Sequence, residues 1–242
     1  MLYLGEQLFP TTGETPLNYV AISLVLYAHN AAPRLERATL ELLALLPELA
    51  NDYELIVVND ASDDATAPIA DNLSAACDPV LVIHQPQRRG FVGALVEAAS
   101  VARSELLIAL TVGEAQLEEA LRRLVAAHDL DLAVGYQRTP ARRQTPRRPK
   151  APHLRGSESG AVRIRTELLT QWVDTLPAPK RCADIYHSLI AQGTRWGEVE
   201  IETTSIPQPT DPSRPLAQRA LLGTGLAALA GGVWLLRNRI RS

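Results

Sequence analysis

Two patterns exchange regularly along this chain, and the exchange limits what it can fold into. Short, continuously apolar runs alternate with longer stretches whose apolar residues return at helical spacing. The runs at 19–27, 53–58, 80–84, 105–110 and 131–135 are rich in Val, Ile and Leu and predict strands. Helical patterns fill 33–49, 65–76, 90–102 and 117–127. In the first of these, Leu35, Ala38, Leu42, Leu45, Leu46 and Leu49 share one face, and Pro33 suits a first turn. The strands are apolar throughout rather than alternating, so both faces of their sheet must be covered. That requirement predicts an α/β fold: a mostly parallel sheet flanked by helices. Ligands of such sheets bind beyond the carboxyl ends of the strands. The polar stretches 28–30, 59–64, 85–90 and 111–116 are therefore the places to search. Regular patterning returns at 161–173, 183–192 and 196–201.

The chain's 242 residues suffice for one sizeable domain and an appendage, not for two full domains. We divide it into an irregular lead-in (1–18), a main domain (19–204), a Pro-rich linker (205–219), a hydrophobic helix (220–236) and a basic tail (237–242). A net charge of −3 gives no global basic excess, so nucleic acid is not an expected partner. Cys77 and Cys182 lie far apart with no metal-ligand spacing and read as buried thiols in a reducing compartment. The five His form no ligand pair. No nucleophile elbow, P-loop or Rossmann glycine fingerprint occurs. The lead-in lacks a basic region followed by a long apolar run, so the main domain is expected in the cytoplasm.

The order of the polar segments resembles the family 2 glycosyltransferases, and within them the polyprenyl-phosphate and dolichyl-phosphate sugar synthases. Those enzymes open with a strand ending in a Tyr-Asn-Glu-type turn. Here Tyr27-Ala28-His29-Asn30 matches, with Ala31 where the family has an acid. Their second strand ends Asp-Asp-Gly-Ser-x-Asp-x-Thr. The counterpart is Asn59-Asp60-Ala61-Ser62-Asp63-Asp64-Ala65-Thr66, the most specific part of the likeness. Arg88-Arg89-Gly90 opens an alanine-rich helix as the family's Asn/Arg-x-Gly segment does, and Ser159-Gly160 resembles its acceptor-side Ser-Gly pair. The likeness runs from about 22 to 201.

This resemblance implies a GT-A-like domain that binds a nucleotide-diphosphate sugar through Ala28, Asn30, Asp60, Ser62, Arg88, Arg89 and Gly90. Asp60 would accept hydrogen bonds from the base or ribose. The plainer alternative is that Asp60 and Ser62 cap the next helix. Arg88 and Arg89 would face the diphosphate, and Gly90 would let a helix N-terminus approach it. The alternative is a solvated Arg pair at a turn. Asp184 stands near where some members keep a base.

One departure stands out. The family carries an Asp-x-Asp motif after the fourth strand, which holds Mg²⁺ or Mn²⁺ against the diphosphate. Here Thr111, Val112 and Gly113 occupy that place. Glu114 follows and is the one candidate ligand, so the metal that the resemblance implies is in question. An acceptor-side acid is likewise replaced by Gly156.

Between 137 and 158 the chain changes character, with Arg142, Arg143, Arg147 and Arg148 among its basic residues and Pro140, Pro146, Pro149 and Pro152 between them. Such proline density forbids a regular helix and predicts a long mobile loop. Its expected partners are a lipid phosphate or the anionic cytoplasmic leaflet; a merely solvated loop is the alternative. With Ser159 and Gly160 it forms the expected acceptor side. Residues 220–236 would span about 25 Å as a helix, the lower limit for crossing a bilayer. Gly223, Ala227 and Gly231 give it a small-residue face suited to helix pairing. A buried C-terminal helix is the alternative. The expectation is a membrane-associated transferase with a polyprenyl phosphate or another membrane-proximal acceptor. A degenerate transferase acting as a binding module is the competing reading.

Overall fold

The structure is a computed structural model that describes residues 21–113, 116–137, 154, 160–175 and 181–201. Along the chain run β1 (Ala21–Ala28), α1 (Ala32–Leu49), β2 (Asp52–Asp60), α2 (Thr66–Ala76), β3 (Val80–Gln85), α3 (Gly90–Val101) and β4 (Leu106–Thr111). Then follow α4 (Leu117–Ala126), β5 (Leu132–Gln137), β6 (Ala161–Arg165), α5 (Thr166–Thr175), α6 (Cys182–Ala191) and β7 (Trp196–Ile201). Among the described residues the strands form one seven-stranded sheet in the order β3-β2-β1-β4-β6-β5-β7. Only β6 runs antiparallel to its neighbours, β4 and β5. The mixed, mostly parallel sheet expected from the apolar runs is therefore present.

Two core layers cover the sheet. Leu24, Leu26, Leu55, Val57, Ile108 and Leu110 face one side and pack with Leu35, Leu42 and Leu46 of α1 and Leu121 and Leu124 of α4. The alternate residues Val25, Ile56, Val58, Leu107 and Ala109 face the other, against Leu95 and Ala98 of α3, Trp172 of α5 and Tyr186 of α6. This period-two division between two buried faces is why the strands read as unbroken apolar runs.

The strands reach further than their apolar runs. β2 continues through Asn59 and Asp60, β1 through Ala28 and β4 through Thr111, because the ladder pairs Ala28 with Asn59, Asp60 with Gln85 and Tyr27 with Thr111. Polar side chains end the pattern before backbone pairing ends. The segment 161–173 is not one element: it turns from β6 into α5 at Thr166, whose N–H donates to the Glu105 carbonyl at 2.9 Å and whose hydroxyl donates to the Ser104 carbonyl at 2.7 Å.

Since β5 lies parallel to β7 and antiparallel to β6, its last residue Gln137 and the first residue of β6, Ala161, sit at the same sheet edge as the ends of β1, β2 and β4. Leu154, between them in sequence, is buried in the second core layer. The basic loop with Arg142, Arg143, Arg147 and Arg148, the linker and residues 220–236 with Gly223, Ala227 and Gly231 otherwise lie outside the described residues. Among the described residues no helix is long and apolar enough to cross a membrane. Both cysteines are free thiols; Cys77 is half-buried and Cys182 buried.

At the opposite edge, one buried carboxylate ties β2 to β1 and to the segment that enters β4. Glu54 accepts the Ser23 hydroxyl at 2.6 Å, the Arg103 backbone N–H at 2.7 Å and the Arg103 Nε–H at 3.0 Å. Ser23 Oγ in turn accepts the Ser104 N–H at 3.1 Å. Burial pushes the Glu54 carboxyl up. The Ser23 hydroxyl and the two Arg103 donors together outweigh it and hold the group below its ordinary value. A depressed folded-state pKa adds stability that is present above the unfolded value and is lost as pH falls through the folded one. Glu54→Gln is expected to cost roughly 1–3 kcal/mol at neutral pH by urea unfolding. The gap to the parent should narrow as the pH drops below the usual carboxylate range.

Candidate functional site

The loops after β1 and β2 are stitched together at the carboxyl edge of the sheet. Asn30 N–H donates to Ser62 Oγ at 3.0 Å, and Asp63 N–H returns to Asn30 Oδ1 at 2.9 Å. Ala31 N–H donates to Thr66 Oγ1 at 2.8 Å, and Ala32 N–H to Asp64 Oδ2 at 3.1 Å. Asp64 Oδ1 accepts the Thr66 N–H at 2.9 Å, so one carboxylate meets the first turns of both α1 and α2. Asn30 and Ala61 both take the left-handed conformation, with φ of 48° and 49°. Asn tolerates it; Ala pays strain for it. The tight crossing therefore keeps the turn geometry of Gly at a position that holds Ala.

Asp60 does not cap the helix that follows it. It is fully buried and anchors the start of α3, which begins thirty residues later. Oδ1 accepts the Arg89 N–H at 2.6 Å; Oδ2 accepts the Gly90 N–H at 2.9 Å and the Tyr27 hydroxyl at 2.8 Å. The anion met by this helix N-terminus is thus the chain's own carboxylate, which satisfies orphan N–H groups of the first turn. Gly90 takes φ +70° to present its N–H. Gly93 has no room for a side chain: a Cβ there would collide with the Arg89 Cβ. The Asp60 carbonyl meets His29 Nδ1 at 2.8 Å, which makes that nitrogen the protonated one.

Tyr27, quoted in the first motif but not among the expected ligand contacts, connects this anchor to the surface. Its ring meets Phe91 edge to face, with centroids 5.8 Å apart at 83°. Burial, reinforced by Asp60, pushes its phenol up to about 12, and the neighbouring Arg88 guanidinium pulls the other way. Arg88 is exposed beside that hydroxyl. Arg89 is engaged elsewhere, in an ion pair with Glu97. Next to Asp60 across the sheet, the Gln85 side-chain amide is buried with no hydrogen-bond partner among the described residues.

At the end of β4, the Thr111 hydroxyl donates to the Gly160 carbonyl at 3.3 Å, which brings Gly160 against the fourth strand. Val112 N–H bonds the Tyr27 carbonyl at 2.9 Å. Gly113 has φ +101°, and a Cβ on it would fall 2.6 Å from Arg34 Nη1. Hard divalent ions need oxygen anions. Here the side chains are a hydroxyl, a valine and none, with a guanidinium against them. Among the described residues no three His, Cys, Asp or Glu gather as a ligand set. The described residues of this segment do not fit a divalent ion; Glu114 lies outside them, as does Ser159.

The other selected residues are placed as follows. Ala28 is wholly buried in the first core layer and offers a ligand no side chain. In the loop crossing the Ser62 side chain holds the Asn30 backbone and the Asn30 side chain holds that of Asp63. Asp184 sits at the start of α6, where it accepts the Arg181 N–H and pairs with its guanidinium, both at 3.2 Å. It caps this helix. Arg34, Asp64, Thr66 and Gln85 were not singled out in the sequence. Asp64 and Thr66 stood inside the quoted motif; the position of Arg34 over Gly113 has no local signal.

Asp60→Ala would orphan three donors, two of them backbone, and is expected to cost at least about 3 kcal/mol in urea unfolding. Ala61→Gly has the opposite sign. Release of left-handed strain of roughly 1–2 kcal/mol, less the roughly 0.4–1 kcal/mol that Gly adds to unfolded-chain entropy, should raise the urea midpoint without changing the slope.

Comparison with known proteins agrees with this geometry. Glycosyltransferase AglD of Haloferax volcanii is 37% identical over 131 residues, a match covering 51% of this chain and 20% of that protein. The chain thus spans a fifth of the relative's length. Glucosyl-3-phosphoglycerate synthase from Mycobacterium tuberculosis, solved with UDP, superposes with a TM-score of 0.58 at 18% identity, over 82% of this chain and 74% of that one. The same synthase has been solved with Mn²⁺, UDP and glucosyl-3-phosphoglycerate. The mannosyltransferase PcManGT from Pyrobaculum calidifontis, in complex with GDP-Man and Mn²⁺, superposes with a TM-score of 0.56 at 15% identity, over 79% and 59%. At these identities the likeness is one of fold, and it makes the sheet and its helices GT-A-like. The profile described as glycosyl transferase family 2 matches residues 23–178, and with it the loops after β1, β2, β3 and β4 and the start of β6: the chain belongs to glycosyl transferase family 2.

Proposed function

We propose that the chain moves a sugar from a nucleotide-diphosphate sugar to a lipid phosphate, such as a polyprenyl phosphate, or to another acceptor at a membrane face. The observation that carries this reading is the meeting at one sheet edge of the loops after β1, β2, β3 and β4 with Gly160, in a member of glycosyl transferase family 2. Solved proteins of the same fold carry UDP or GDP-Man, which supports a nucleotide-sugar donor. Asp60 serves by holding Tyr27, Arg89 and Gly90 in place. Arg88 is the exposed cation beside that anchor and suits the diphosphate. Thr111 and Gly160 join the donor side to the acceptor side. A phosphate acceptor is already an anionic nucleophile and needs no general base, which agrees with an Asp184 that is occupied as a cap. The basic loop after β5 suits a lipid phosphate, and residues 220–236 suit association with a membrane.

A second reading, a transferase fold kept as a binding or regulatory module, is favoured by one feature: Thr111, Val112 and Gly113 in place of the acids. Calorimetric titration with UDP and GDP, followed by transfer assays from UDP- and GDP-sugars to polyprenyl phosphate, separates the two. Binding with transfer is the expected result. Binding without transfer to any lipid phosphate would favour the module, and a chain that takes up neither nucleotide would sink the donor assignment.

A further inference from the structure

Where the resemblance places two acids and a divalent ion, this chain places a guanidinium. Arg34 stands in the first turn of α1 and lies against Gly113, filling the space where a side chain at that position would begin. It is exposed and has no ion-pair partner among the described residues. The cleft it borders measures about 530 Å³ and is lined also by Pro33, Arg37, Gly113, Gln116 and Glu118. The other charges around it are taken: Arg37 pairs with Glu41 at 2.6 Å, and Glu118 meets Arg122 at 3.4 Å.

The charge logic is reversed as a set. Acids are useful at this place only because they hold a cation, and the cation in turn meets the diphosphate. With the acids gone, the described residues of this segment, Thr111 to Gly113, offer a divalent ion no carboxylate. An arginine at the same place supplies positive charge directly, stays protonated at any working pH, and can engage phosphate oxygens through two N–H groups.

We propose a metal-independent diphosphate site at the end of β4, with Arg34 as its cation. It rests on the nucleotide-sugar reading for its natural ligand, and inorganic pyrophosphate probes it without that reading. The test is calorimetric titration of the full chain in EDTA with pyrophosphate, UDP and GDP, repeated with Mn²⁺. All three binding in EDTA, with Mn²⁺ changing affinity less than about twofold, is the expected result. Arg34→Gln should weaken each by about tenfold, the worth of one charge-assisted hydrogen bond. Arg195→Gln, which removes the same charge at the opposite edge of the sheet, should leave affinity unchanged. An unchanged melting curve for Arg34→Gln would show that the loss is not one of folding. Binding that requires Mn²⁺, equal affinity in Arg34→Gln, equal loss in both variants, or no uptake of pyrophosphate would each overturn the site. Pyrophosphate held through Arg34 by a chain that ignores UDP and GDP would leave the site standing and overturn the nucleotide-sugar reading instead.

Discussion

A carboxylate with no exposure, Asp60, receives two backbone N–H groups and a phenol from parts of the chain about thirty residues away on either side. Burying such a group is expensive unless every oxygen is occupied. Here the occupants are the first N–H groups of α3 and the last aromatic of β1. The end of β1, the end of β2 and the entry to α3 are therefore fixed relative to one another by one side chain. The loop crossing made by Asn30, Ser62, Asp64 and Thr66 adds rigidity beside it, and Val112, bonded to the Tyr27 carbonyl, extends the frame to β4. The edge on which a ligand would rest is built by internal hydrogen bonds before any ligand arrives.

Much of the architecture was legible because hydrophobic pattern is a direct record of burial. Runs such as 55–58 are apolar on both faces, and only a sheet covered on both sides needs that. The ends of those runs were less legible. Asn59 and Asp60 break the apolar pattern yet stay in the ladder, since pairing depends on backbone and not on side-chain polarity. The turn from β6 to α5 was invisible for a related reason: β-type and helix-type spacing cannot be told apart over so few residues.

The site was legible in its parts and not in its wiring. The sequence marks an acid at the end of β2 and an Arg-Arg-Gly at the start of α3. It does not say that the acid spends its oxygens on that helix rather than on a nucleotide or on α2. Asp184 looked available because charge shows in a sequence and hydrogen-bond partners do not. Arg34 was passed over because its meaning depends on where the first turn of α1 lies relative to Gly113, a distance across the fold that no local motif encodes.

The antiparallel β6 has a consequence for the basic segment that precedes it. Because β5 ends and β6 begins at the same edge, the intervening chain leaves from the site and must come back to it, and Leu154 ties it down once more on the way. Arg142, Arg143, Arg147 and Arg148 all fall between Gln137 and Leu154. The one farthest from an anchor, Arg147, is seven residues from Leu154, a reach of about 25 Å at full extension. The order of the strands thus hands the chain back to the carboxyl edge at Ala161, the edge it left at Gln137.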